Sequence, residues 1–141
     1  MVEEALVMEQ LTSEMIESGR ELVLHLAQEG TKIKTAMWLY TEATGRWRLV
    51  LASPDVRHGG PLAIYSRASK QLARMGNPDY LPVYRIAIVD PKSSDIPLPT
   101  GSAGTVRGLA GQRVTDDWIG GVHVDDAYVY RVAPRRSRAT A

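Results

Sequence analysis

The sequence contains no cysteine, and histidine occurs only at His25, His58 and His123. The absence of cysteine excludes disulfide bonds, thiolate metal sites and cysteine nucleophiles. There is no Gly-x-Ser-x-Gly motif, and no cluster in the sequence combines a nucleophile, a base and an orienting group. The sequence therefore nominates no catalytic residue and no cofactor, and it leaves open whether the chain is an enzyme.

Long hydrophobic runs are also missing. No apolar run approaches the roughly 20 residues that a helix needs to cross a bilayer. The N-terminal residues are acidic and polar, and they lack the basic segment followed by an apolar stretch that is typical of a signal peptide. We therefore expect a soluble, cytoplasmic protein with no membrane partner.

Charge is distributed unevenly along the chain. Residues 1–30 hold seven Glu and one Arg, a balance of −6, and the other 111 residues hold 16 Lys or Arg against nine acidic residues, a balance of +7. This pattern has two interpretations. Either an acidic helix packs beside a basic body, or the body presents a basic face to phosphate groups.

The length of 141 residues is sufficient for one domain, which buries roughly two-thirds of its unfolded surface on folding. We predict a single α+β domain over residues 1–133 and a disordered basic tail over residues 134–141. Residues 91–111 are rich in proline, serine and glycine, which predicts a long loop. Loops of that length within a domain are usually functional or disordered.

The strongest local signal is a β-hairpin, with strands at 32–40 and 46–53 and a turn at 41–45. Two apolar runs flank a polar segment that ends in Gly45, which is typical of a hairpin. Side chains alternate between the two faces of a strand, and both faces of this hairpin are partly apolar. We expect helices to cover one face and a partner chain to cover the other.

Helical periodicity predicts a long helix at 3–29 and a shorter one at 61–75. Gly19 lies on the apolar side of the first helix and permits close approach, while Gly30 ends it. Pro61 suits the first position of the second helix. The apolar stripe of the first helix consists of Met8, Leu11, Met15, Leu22 and Leu26. That of the second consists of Leu62, Tyr65, Ala68, Leu72 and Met75.

Three further strands complete the predicted fold, at 83–89, 118–124 and 127–132. The strand at 83–89 is apolar enough to be central in the sheet. The element order α-β-β-α-β-loop-β-β does not alternate regularly, which argues against a doubly wound parallel sheet. We therefore predict an α+β fold in which two helices pack on a mostly antiparallel sheet of about five strands.

Two segments resemble a known group of proteins. The run TGRWRLVLASP at 44–54 and the run GVHVDDAYVYR at 121–131 are similar to those of small uncharacterised bacterial proteins that have an N-terminal helix, this hairpin and a closing Asp-Ala-Tyr strand. The resemblance covers most of residues 12–132 and fits residues 91–113 least well. It implies a bacterial source and supports the fold, but it transfers no activity.

A first candidate site combines acidic residues with a histidine. His123 and Asp125 are two positions apart on a strand and project from the same face, with Asp117 across a turn. Three such side chains are suitable ligands for the divalent metal of a hydrolase or nuclease. The alternative is that the pairs at 116–117 and 125–126 build turns at strand ends, where aspartate is common.

A second candidate site is basic. Cations on one surface contact phosphate groups, and neighbouring aromatic rings stack on bases, so this set predicts nucleic-acid binding. The alternative is a solvated helix face, since the sequence pI of 8.0 is lower than that of most nucleic-acid-binding domains. The residues concerned are Arg46, Arg48, Arg67, Lys70 and Arg74.

The leading functional hypothesis is a non-catalytic binding or interaction module that self-associates or binds a protein partner. The aromatic residues Tyr84, Trp118, Tyr128 and Tyr130 pack within the predicted sheet or, alternatively, form an exposed face for a partner. The competing hypothesis is a nucleic-acid-associated protein, such as a metal-dependent nuclease that uses Asp117, His123 and Asp125.

Overall fold

The computed structural model describes residues 9–76, 81–92, 111–119 and 122–131. The predicted start of the first helix, most of the 91–111 loop and the 134–141 tail lie outside these residues. No helix in the described ranges is both long and apolar enough to cross a bilayer. The elements are α1 (Ser13–Gln28), β1 (Thr35–Thr41), β2 (Arg46–Ala52), α2 (Pro61–Met75), β3 (Ile86–Val89), β4 (Gln112–Ile119) and β5 (Val122–Arg131), with short 3-10 helices at Pro54–Arg57 and Val83–Arg85.

The five strands form one sheet in the order β3-β2-β1-β5-β4. β1 pairs antiparallel with β2 and β5, and β4 pairs antiparallel with β5. β3 is parallel to β2, because the connection between them crosses over through α2. The predicted α+β fold is confirmed. The prediction of a central third strand is wrong, since β3 is an edge strand among the described residues.

Residues 9–12 are not helical and α1 begins at Ser13, while the predicted start at residue 3 lies outside the described residues. Thr12 has an extended backbone, and its hydroxyl accepts a hydrogen bond from the Met15 N–H, which caps the helix. Met15, Gly19, Leu22 and Leu26 are buried on one side as the periodicity predicts. The helix ends at Gln28, and the following Gly30 has a φ of 95° that favours glycine.

The second helix has the predicted bounds, with Pro61 in its first turn. Its buried side is centred on Ile64, Ala68 and Leu72. The assignment of Leu62 to the buried stripe is wrong: this side chain is exposed. At 3.6 residues per turn, a residue two positions before Ile64 lies about 200° round the helix from it, on the opposite side.

The last hairpin starts earlier and has longer strands than predicted. β4 covers residues 112–119 and β5 covers residues 122–131, so the predicted strands at 118–124 and 127–132 have the wrong bounds. Asp126 lies within β5, opposite Thr115 and Tyr40. The error arises because aspartate pairs are typical of turns, whereas this one has an ion-pair partner on the neighbouring strand.

Apolar side chains are buried on both faces of the sheet. The helices pack on the face that carries Trp38, Leu49 and Tyr130, and a second cluster on the other face contains Met37 and Val50. Met37 and Val50 are fully buried in the single chain. The centre of the second face is therefore buried within the chain itself, and a partner chain over the rest of this face stays a prediction.

Candidate functional site

The predicted metal ligands lie on β4 and β5, but the structure does not assemble them. His123 Nε2 lies 3.0 Å from Asp116 Oδ1, and Asp117 accepts a hydrogen bond from the Trp118 N–H. In the part of the chain that the structure describes, no group of three histidine or acidic side chains is placed to hold a metal ion. Asp117, His123 and Asp125 therefore do not form the predicted metal site.

A distortion inside β4 explains part of this arrangement. Asp116 has a φ of 48°, in the left-handed region that aspartate tolerates in turns. A turn-like backbone conformation is thus present at residue 116, although it lies within a strand and not at the predicted strand end.

The predicted basic residues are distributed over different parts of the surface. The Arg67 guanidinium donates a hydrogen bond to Thr31 Oγ1, in the segment that follows α1. Lys70 and Arg74 follow Arg67 at helical spacing on the same exposed stripe of α2. Arg48 of β2 instead lines a concave region together with Ser66 and Ser69 of α2. Arg46 is close enough to Glu9 to lower its pKa. The five cations therefore do not form one continuous face.

A groove of about 590 Å³ lies between α2 and the segment that leads into β3. We call it the α2–β3 groove. One wall is the exposed stripe of α2, and the opposite wall is the 3-10 helix at Val83–Arg85 with the start of β3. Its lining residues are Arg48, Leu62, Tyr65, Ser66, Ser69, Val83, Tyr84 and Ile86.

Exposed apolar side chains concentrate in this groove. Of the five large hydrophobic residues that are exposed in the described chain, three line it: Leu62 at 77%, Tyr84 at 74% and Val83 at 39% exposure. Single exposed hydrophobics are ordinary, whereas a cluster of them makes this surface the candidate binding site of the described chain. The other two, Leu24 and Trp118, lie on α1 and β4.

The charge of the α2–β3 groove is positive. Arg48 is exposed, and its guanidinium makes no ion pair or side-chain hydrogen bond with the described residues. No acidic side chain and no histidine is among the described residues that line the groove. Among the described residues, the Ser66 and Ser69 hydroxyls therefore have no base in the groove lining to activate them as nucleophiles.

A second concave region, of about 490 Å³, lies around Trp47 and differs in its electrostatics. Arg113 donates two hydrogen bonds, of 2.6 and 2.8 Å, to the carboxylate of Asp126, and its guanidinium lies 5.3 Å from the centre of the Trp47 ring. Glu9 accepts hydrogen bonds from Arg85 and from the Trp47 N–H. Each of these charged groups is paired within the chain, which is typical of a structural role.

The pKa shifts agree with this assignment. The hydrogen bond from Arg113 lowers the pKa of Asp126, and the reciprocal bond raises the pKa of Arg113. Burial by itself raises the pKa of Glu9, but hydrogen bonds from Arg85 and the Trp47 backbone outweigh it, so the pKa is lowered overall. All these groups are held in their charged forms by partners, and none is poised for acid–base catalysis near neutral pH.

The sequence did not identify the α2–β3 groove. Leu62 was assigned to the core and Tyr84 to a strand, whereas Tyr84 lies in the 3-10 helix and is exposed. A signal was available for Leu62, because Ile64, Ala68 and Leu72 form a more regular i, i+4, i+8 series that excludes it. No comparable local signal existed for Tyr84.

Comparison with protein families, with curated proteins and with solved structures finds no match for this chain. The resemblance to small bacterial proteins therefore stays a prediction. The function has to be inferred from the chain's own surface.

Proposed function

We propose that this protein is a non-catalytic interaction module that binds an apolar, acidic segment of a partner protein in the α2–β3 groove. The observation that carries the proposal is the clustering of Leu62, Val83 and Tyr84 beside Arg48. Tyrosine and arginine are enriched among residues that dominate binding energy at protein interfaces. This groove presents both types next to exposed aliphatic side chains.

The apolar contribution to binding is substantial. Fully burying an exposed side chain of this size stabilises a complex by about 1.5–3 kcal/mol. Leu62 and Tyr84 are each about three-quarters exposed, so most of that gain is available to a partner. Ser66 and Ser69 provide hydroxyl groups that hydrogen-bond to polar atoms at the rim of such a contact.

Charge complementarity defines the polar part of the partner. A partner carboxylate that contacts Arg48 forms a charge-assisted hydrogen bond, which is stronger than a neutral one. The described lining contains no acidic group that competes for this cation. We therefore expect the bound segment to combine apolar anchors with at least one Asp or Glu.

The remaining sequence predictions belong to this proposal as hypotheses. A bacterial source and a cytoplasmic location are compatible with a chain that contains no cysteine. A second copy of the chain and a nucleic acid are the competing occupants of the groove. The experiment below distinguishes them from a peptide segment.

A displayed library of random peptides provides the test. We expect selection on the immobilised chain to enrich peptides with apolar residues and Asp or Glu. A synthetic copy of the best peptide is then titrated by fluorescence anisotropy. Tyr84→Ala and Leu62→Ala should each weaken binding by about 2 kcal/mol, or about 30-fold. Arg48→Glu should weaken it more at low than at high salt.

Matched controls lie outside the groove. Leu24→Ala removes an exposed leucine from α1, and Arg74→Glu reverses an exposed arginine of α2. Both should leave peptide affinity unchanged. Peptides that bind all groove variants as tightly as the unmodified chain contradict the proposal. Two other results also contradict the proposal: binding of single-stranded RNA alone, and a dimer that Leu62→Ala dissociates. Each result would identify one of the competing occupants of the groove.

A further inference from the structure

Among the described residues, β3 is a short edge strand, and exposed edge strands promote aggregation. The backbone N–H and C=O groups that face away from the sheet are free to pair with a strand from another chain. β3 pairs with β2 through a parallel ladder, with Ile86 opposite Leu49 and Ile88 opposite Leu51. The strand borders the α2–β3 groove at Ile86.

The side chain of Tyr65 reaches this edge from α2. Its hydroxyl donates a hydrogen bond to the Ile86 carbonyl at 3.1 Å and accepts one from the Ile88 N–H, also at 3.1 Å. One side-chain oxygen thus satisfies two backbone groups of the same strand. The Tyr65 side chain is half-buried, and its ring packs against the core on the helix face of the sheet.

These contacts reproduce the hydrogen bonds of an additional strand. In a parallel ladder, one residue donates its N–H to a carbonyl on the next strand and accepts an N–H from the residue two positions further on. Tyr65 makes the same pair of contacts with Ile86 and Ile88. Its hydroxyl therefore takes the place of the N–H and C=O of one residue of a sixth strand.

We infer that Tyr65 is an edge cap that prevents β3 from pairing with a strand of another chain. A partner then binds the α2–β3 groove through its side chains and not by strand addition. This second statement rests on the proposed function. Leu62, Ser66 and Ser69 form a stripe along α2, and the two small serines leave room for a second helix at ordinary packing distance. An amphipathic helix fits this mode of binding, with apolar side chains on Leu62 and Tyr84 and a carboxylate on Arg48.

Amide hydrogen exchange and sedimentation velocity test the cap without any partner. In the unmodified chain the Ile88 amide should be protected, although it faces away from β2. Tyr65→Phe removes only the hydroxyl, and we expect the Ile88 amide to exchange about tenfold faster, as the loss of one backbone hydrogen bond implies. The variant should also self-associate as its concentration is raised, while the unmodified chain does not.

Tyr40→Phe is the matched control, because Tyr40 lies on β1 outside the groove and its hydroxyl makes no hydrogen bond with the described residues. It should change neither Ile88 exchange nor association. An unprotected Ile88 amide in the unmodified chain refutes the cap even if Tyr65→Phe fails to fold. Unchanged exchange and association in a folded Tyr65→Phe variant refute it as well.

The binding mode is tested with the peptide selected on the groove. Circular dichroism and isotope-edited NMR of the bound peptide should report helix. An extended peptide with amide contacts to β3 overturns the inferred mode while it leaves the proposed function intact. Failure to select any peptide counts against the proposed function, and the exchange experiment still decides the role of Tyr65.

Discussion

Gly19 lies where α1 crosses the aromatic side chains of the sheet, and replacing it with alanine is the most sensitive test of the packing described above. A Cβ atom at this position would be 2.5 Å from the Tyr130 hydroxyl oxygen and 2.9 Å from Trp38 Nε1. Those two atoms are hydrogen-bonded to each other at 3.0 Å, and the Tyr130 hydroxyl also donates to the Ile16 carbonyl. The added methyl group therefore enters a buried hydrogen-bond network.

The expected cost follows from three contributions. Overpacking of a dense core destabilises by about 1–3 kcal/mol. Displacing Tyr130 weakens two buried hydrogen bonds, each with a net contribution of about 0.5–1.5 kcal/mol. Alanine has a better helix propensity than glycine and recovers about 1 kcal/mol. We expect Gly19→Ala to lower the free energy of unfolding by about 1–5 kcal/mol, the sum of these ranges.

Urea unfolding followed by tryptophan fluorescence measures this loss, and a double-mutant cycle with Tyr130→Phe locates it. Removing the hydroxyl eliminates the atom nearest to the new Cβ. Gly19→Ala should therefore cost at least about 1 kcal/mol less in the Tyr130→Phe background, as expected for residues in direct contact. A Gly19→Ala protein as stable as the unmodified chain refutes the reasoning, and so does an equal cost in both backgrounds.

Three other predictions concern pH and capping. Arg113 holds the pKa of Asp126 below its unfolded value of about 3.9, so the free energy of unfolding should fall as the pH drops below about 4. Urea unfolding at several pH values measures this loss, and Asp126→Asn should make it shallower. Burial raises the pKa of Tyr130 above the unfolded value of about 10, so stability should decrease above pH ~10, and Tyr130→Phe should reduce the slope of that decrease. Thr12→Ala should lower the free energy of unfolding by about 1 kcal/mol through loss of the α1 cap, and a thermal melt that is unchanged would contradict this role.

Local sequence patterns were sufficient for the elements whose neighbours are close in the chain. The bounds of α2 and the position of the first hairpin agree with prediction, although β1 begins at Thr35 and not at residue 32. The agreement arises because a glycine-containing turn and a proline at the first helical position act over a few residues. The small residue at Gly19 was also predicted to permit close approach, and the contact with Tyr130 confirms it. These features depend on backbone conformation and periodicity alone.

Long-range pairing decided the remaining fold. β3 was apolar enough to be placed in the centre of the sheet, yet among the described residues it is an edge strand, and Tyr65 from another element hydrogen-bonds to two of its backbone groups. Asp126 was assigned to a turn, yet it lies within a strand because Arg113 on β4 pairs with it. In both cases the deciding partner is distant in sequence, so no local pattern contains the information.

The candidate site shows the same division. Charge and residue type could be obtained from the sequence by itself, and Arg48 was among the predicted binding residues. The sequence could not determine which cations share a surface. Arg48 on β2 lines the α2–β3 groove, whereas Arg67 on α2 hydrogen-bonds to Thr31 outside it. The sequence also could not place Tyr84 beside Leu62. Their proximity depends on how α2 is rotated about its axis on the sheet and on the path of the chain into β3. Composition and local periodicity thus determined the fold class, the first hairpin and the second helix, while tertiary packing decided the remaining strands and which exposed side chains form the groove.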